Sequence, residues 1–129
     1  MSAAANNNKP TFEETLEWLQ TTEYGGAVGV TALFRVKDEH IESFINLLED
    51  LIPYAVKEEG CIEYAFNRDW KNTNEFWITE KWASPKLLIE HLGPNARKGT
   101  EYEGSTPFDE FEKMEIVLEP AAIYKVGLR

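Results

Sequence analysis

Apolar residues recur along the chain in two periods, and the points where one gives way to the other mark the elements. Val28, Val30, Ala32, Phe34 and Val36 alternate with Gly29, Thr31, Leu33 and Arg35, which predicts a strand opening after Gly25-Gly26. From Asp38, an N-cap residue, the period changes. Ile41, Phe44, Ile45, Leu48, Leu51, Ile52, Ala55 and Val56 follow the i, i+3, i+4, i+7 spacing of a long amphipathic helix that Gly60 closes. Pro53 lies inside this run and lacks a backbone donor, so a kink or break is expected near Leu48 to Leu51. Cys61 to Trp70 and Glu75 to Ala83 read as two strands joined by the turn residues Lys71 to Asn74, a hairpin with aromatic side chains on both faces.

Ser84-Pro85 is a cap followed by proline at the first helical position, and it opens a helix on which Leu87, Leu88 and His91 share the apolar side. Gly93-Pro94 interrupts that helix, and a polar helical piece is expected over Asn95 to Tyr102. Thr106-Pro107 repeats the cap-plus-proline signal ahead of Phe108 and Phe111. Met114 to Leu118 then reads as a fourth strand, with Ala121 to Val126 as its continuation or a fifth beyond Pro120. Upstream, Thr11 and Glu14 form a capping-box pattern, and Phe12, Leu16 and Leu19 give a short helix to about Gln20. The expectation for this helix is an ordinary surface position; docking over the chain's own pocket or onto a second subunit are the alternatives. Residues 1–25 thus form a tail and helix, and residues 26–129 the main domain.

The order strand, helix, hairpin, helix, strand is the split βαβ arrangement of a ferredoxin-like α+β fold, an antiparallel sheet with helices on one side. Its other face carries too many apolar side chains to be left in water, so a symmetric homodimer packed sheet on sheet is expected.

At 129 residues the chain has the length of one domain that buries a full core. A net charge of −10, from 23 acids against 13 bases, argues against nucleic acid and anionic membranes as partners. The single Cys61 makes no internal disulfide, and two histidines with one thiol do not supply a clustered metal site, so no metal is expected. Neither a leader sequence nor an apolar run long enough to span a bilayer is evident, and a cytoplasmic location is expected.

The candidate chemistry lies between Glu75 and Leu92. Phe76, Ile78, Glu80 and Trp82 share one strand face, which sets a carboxylate among apolar neighbours, and His91 follows on the apolar side of the next helix. The plainer readings are that His91 is a core histidine satisfied by a carbonyl or by Glu80, and that Trp77 and Trp82 belong to core or interface. Cys61 reads as a small buried residue, His40 as solvated, and Glu13-Glu14 and Glu58-Glu59 as solvated faces.

Glu59-Gly60-Cys61 with Tyr64, then Glu80-x-Trp82-x-Ser84 and His91-Leu92, resemble the antibiotic-biosynthesis monooxygenase family of dimeric α+β barrels, over roughly Val28 to Tyr124. The resemblance implies oxidation of a phenol, hydroquinone or anthrone by O₂ without metal or flavin, the ionised substrate itself reducing oxygen. His91 would be the base, since an imidazole in water titrates near neutrality, and Glu80 would orient a donor or that imidazole. Trp82, Tyr64 or Trp77 would stack on the ring, although Trp77 and Trp82 point to opposite sheet faces and cannot line one pocket together. Arg97 or Arg35 would steady an oxyanion. A haem-degrading branch of the same fold is disfavoured because the first strand has no asparagine and the axial-histidine position falls near Asn95. A branch acting on phosphorylated sugars would need a cluster of cations that is missing from the segments expected around the pocket. A non-redox isomerase or cyclase acting on a polyketide-like intermediate, and a non-catalytic small-molecule-binding dimer, are the alternatives.

Overall fold

Thr11, Ser84 and Thr106 all sit in extended backbone at the point where a helix begins, and they fix three of the four helix starts. Thr11 and Glu14 form a reciprocal capping box ahead of α1, Phe12–Thr21. Ser84 accepts from the Leu87 N–H ahead of α3, Pro85–Leu92. The Thr106 N–H donates to Asp109 ahead of α4, Pro107–Lys113. The remaining helix, α2, spans Ile41–Ala55 and is entered through a 3₁₀ turn at Asp38–His40. The computed structural model from which these features come describes residues 10–127; most of the expected N-terminal tail lies outside them.

The strands are β1, Val28–Arg35; β2, Cys61–Arg68; β3, Glu75–Trp82; and β4, Val117–Lys125. They form one antiparallel sheet in the order β2-β3-β1-β4, which is the split βαβ topology. Register places Val30 beside Glu80, Ala32 beside Ile78 and Phe34 beside Phe76, so one face of the sheet is almost wholly apolar. The helices cover that face. Phe34, Phe44, Phe76 and Phe111 are buried there, with Phe44 against Phe76 at 4.9 Å and Phe34 against Phe111 at 5.0 Å between ring centroids, both edge-on. A second cluster joins Leu19, Val28, Trp82 and Leu88. The opposite face carries Leu33, Trp77 and Tyr124, bordered by the ion pairs Arg35–Glu75, Arg35–Glu119 and Lys81–Glu63.

Four expectations need correction. Helix α2 runs unbroken through Leu48 to Leu51, because Pro53 sits only two residues before the helix ends and deprives one late carbonyl of its donor. Asn95 to Tyr102 is not a helix; Pro94–Arg97 forms a 3₁₀ turn and the chain then runs through turns to Gly104. The fourth strand starts at Val117 and not at Met114; Ala121 to Lys125 are its continuation, one of the two readings offered, with a register shift opposite Thr31 and Ala32 taking up Pro120. Finally, α1 is not an ordinary surface helix: Leu19 is buried against Val28, Trp82 and Leu88.

Candidate functional site

Two chain corners meet at Gly60. Its φ of +81° suits glycine, and a β-carbon there would fall 2.3 Å from Leu87 Cδ1, so any larger residue would displace the Leu87 side chain of α3. Its carbonyl accepts from the Ala83 N–H at 2.8 Å. The contact ties the loop after α2 to the corner between β3 and α3. Glu58, in a turn held by its own N–H on the Ala55 carbonyl and by the Cys61 N–H on its carbonyl, is thereby brought against His91, one helical turn beyond Leu87 and Leu88.

His91 is 5% exposed and is held on several sides. Its Nδ1 lies 2.6 Å from Glu58 Oε2, a distance at which the ring N–H donates to the carboxylate. Its Nε2 lies 3.9 Å from Glu80 Oε1, beyond a hydrogen bond. The Trp82 ring stacks on the imidazole at 4.5 Å and Tyr64 meets it edge-on at 5.3 Å. The Trp82 indole N–H is spent on Glu80 Oε1 at 2.7 Å.

Burial dominates the electrostatics. It pushes the Glu80 carboxyl above the ordinary carboxylate range, and the Glu58 charge pushes the same way, while His91 and the Trp82 N–H oppose it. Burial also drives the Tyr64 phenol well above its usual value, reinforced by Glu80 and Glu58, and it raises the Cys61 thiol with the same two carboxylates behind it. Arg97 is lowered by burial, with Glu58 and Tyr64 opposing.

A cavity of about 80 Å³ opens between the sheet and the helices, and members of both core clusters line it. Its walls are apolar, chiefly Phe and Leu side chains, with Glu80 and His91 among them. Of the residues singled out in the sequence, His91, Glu80 and Tyr64 line this cavity. Trp82 is fully buried behind the imidazole. Trp77 pairs with Leu33 and Asn67 on the opposite sheet face. Arg97 is buried but turns its guanidinium to the carbonyls of His91, Gly93 and Ser105. It borders a smaller crevice, with Tyr54, Glu58, Tyr64 and His91. Arg35 lies at the exposed sheet end, engaged with Glu75 and Glu119.

Sequence reasoning missed two contributors. Glu58, read as part of a solvated face, is half-buried and holds the imidazole; its position two residues before a helix-ending glycine was the available signal. Helix α1 supplies Phe12, Thr15, Leu16 and Leu19 to the cavity wall, residues that share one helical stripe. His40, read as solvated, is partly covered and its Nε2 lies 3.4 Å from Glu115. Among the described residues no group of three or more His, Cys, Asp or Glu is arranged to hold a metal ion, and no helix is long and apolar enough to cross a membrane.

Solved structures share this fold. A conserved protein from Methanosarcina mazei Go1 is 26% identical, with a TM-score of 0.60 over 78% of this chain and 92% of its own. A candidate antibiotic biosynthesis monooxygenase from Deinococcus radiodurans is 22% identical, with a TM-score of 0.64 over 79% and 94%. One from Caulobacter crescentus CB15 is 21% identical, with a TM-score of 0.59 over 81% and 93%. No curated protein sequence matches this chain. The family model described as antibiotic biosynthesis monooxygenase matches residues 27–98, which hold β1 through α3 with Glu58, Glu80, Trp82 and His91, and the chain belongs to that family.

Proposed function

We propose that this chain is a cofactor-independent monooxygenase that oxidises a small phenolic or hydroquinone-type aromatic with O₂. The observation that carries the reading is the placing of His91. One ring nitrogen is engaged by the Glu58 carboxylate, and the residue lines an apolar cavity. With Nδ1–H donated to Glu58, Nε2 keeps its lone pair for a substrate hydroxyl.

In this mechanism the phenolic proton passes to His91 Nε2, and the imidazolium is stabilised by Glu58 and by the face of Trp82. The phenolate gives one electron to O₂, and the resulting superoxide joins the ring radical through a new C–O bond. His91 returns its proton to the peroxide so formed. The O–O bond then breaks as the ring carbon loses its hydrogen as a proton. One oxygen atom stays on the ring as a carbonyl and the other leaves as water, so phenol and O₂ give quinone and water in balance. The apolar walls keep water from the reactive anion.

The cavity, at about 80 Å³, is about half the size of a void of roughly 150 Å³ that binds benzene, which supports a single ring over an anthrone and requires the walls to give way for either. The outer sheet face, with Leu33, Trp77 and Tyr124, supports the homodimer reading, and the single cysteine suits a reduced cytoplasmic compartment. Aerobic oxygen uptake with a panel of phenols, hydroquinones, naphthols and anthrones tests the proposal; no uptake above the uncatalysed rate contradicts it. The same His91 and Glu80 would also serve proton transfer in a non-redox isomerase or cyclase, which strictly anaerobic turnover would identify.

A further inference from the structure

Among the described residues that line the cavity, all but one are buried or half-buried. The exception is Phe12, the first residue of α1, which forms part of the wall and is also 38% exposed. The wall therefore reaches solvent at Phe12. Its ring meets that of Phe108, on α4, edge-on at 4.9 Å between centroids. Phe108 in turn meets Phe111 at 6.4 Å, and Phe111 meets Phe34 at 5.0 Å, again edge-on, so a run of rings on the cavity wall leads from the surface to the sheet. His91 and Glu80 belong to buried parts of the same wall.

The Phe12 ring can leave its place while α1 stays where it is. In a helix interior the preceding turn denies a long side chain one of its three χ1 rotamers. Phe12 stands directly after the N-cap Thr11, with no helical turn ahead of it. Exposed side chains exchange rotamers in picoseconds to nanoseconds. The side chain of Phe12 ends in a benzene ring, so turning it into water frees the space of one such ring beside a cavity of about 80 Å³ that is too small for one. We propose that Phe12 is the gate of the cavity and decides which aromatics enter: with its ring turned out a single ring passes Phe108, and with its ring in place the mouth is shut. This rests on the reading of the cavity as a small-aromatic site and assigns its entrance. Both gate rings lie outside the residues 27–98 matched by the family model. Association is scaled by the fraction of time that the Phe12 ring is turned out.

The test is fluorine NMR exchange spectroscopy of the whole chain with 4-fluorophenol under anaerobic conditions, which gives association and dissociation rates separately. Phe12→Ala should raise both rates by about tenfold, on the scale of mutational changes in association rate. Phe12→Trp, which keeps an aromatic ring against Phe108 and so keeps α1 docked, should lower both. A wall residue without a gating role changes the dissociation rate alone. An association rate unaltered in both variants therefore overturns the gate and leaves the small-aromatic reading standing. Binding to the Phe12→Ala protein but not to the unmodified one at millimolar concentration would support the gate. Failure of both to bind overturns the small-aromatic reading, and the gate with it.

Discussion

Glu58 Oε2 stands 2.6 Å from His91 Nδ1, and this pairing leaves Nε2 as the imidazole nitrogen without a hydrogen bond to Glu58. The two residues are 33 apart in the chain and meet only because Gly60 lets α3 pack against the loop after α2. Replacing Glu58 with Gln substitutes a neutral amide for the anion that favours a proton on Nδ1. Nitrogen NMR of ring-labelled histidine should show Nδ1 protonated and Nε2 bare in the neutral ring of the unmodified protein. The Glu58→Gln protein should show a larger share of the opposite tautomer. The turnover number should fall roughly tenfold or more while KM changes little, with partial recovery in Glu58→Asp. An unchanged tautomer would remove Glu58 from this role.

Glu80 makes the fold pH-sensitive in a defined direction. Its carboxyl in the folded chain titrates above its unfolded reference of 4.5, chiefly through burial. The folded state therefore binds more protons than the unfolded one between those two values, and stability falls as pH rises through that window. Glu80→Gln removes the dependence and keeps an oxygen to accept the Trp82 N–H. Thermal unfolding should show the variant more stable than the parent at about pH 8, with the advantage gone at about pH 4. A less stable variant at about pH 8 would mean that attraction to His91 outweighs the cost of burying the charge.

Leu16 lies on the cavity wall contributed by α1. Truncation to Ala enlarges the cavity on the side of the added helix. The ratio of kcat/KM for naphthol over that for phenol should rise by roughly tenfold, the scale on which a few methylenes discriminate substrates. An unaltered ratio would show that α1 does not limit ligand size.

Leu33 and Trp77 are direct neighbours across β1 and β3 on the outer sheet face. If that face joins two copies, Trp77→Glu places a charge at the centre of the interface, and sedimentation should shift from dimer to monomer at micromolar concentration. A dimer that persists would locate the interface elsewhere.

The sheet order and the capping signals were readable because they are local. Thr11 with Glu14, Ser84 with Pro85 and Thr106 with Pro107 carry their structural consequence within four residues, and the two-residue period put Glu80 and Trp82 on one face without further information. The site was legible only in part. An amphipathic stripe such as Phe12, Leu16 and Leu19 announces that a helix docks but not what it covers. The Glu58–His91 pair is a long-range contact, and Glu58-Glu59 looks like any solvated acidic pair until the Gly60 corner is built. Pro53 misled because its position relative to the helix end, which decides whether a lost donor matters, is not fixed by periodicity alone.

Turnover under isotopically heavy oxygen gas tests the oxygenase reading most directly. With a phenol or hydroquinone that the protein consumes, mass spectrometry should find one heavy oxygen atom in each quinone product. His91→Ala should lower the rate by roughly a hundredfold or more. Product formed at the same rate without O₂, or product free of the heavy atom, would contradict a monooxygenase built on His91.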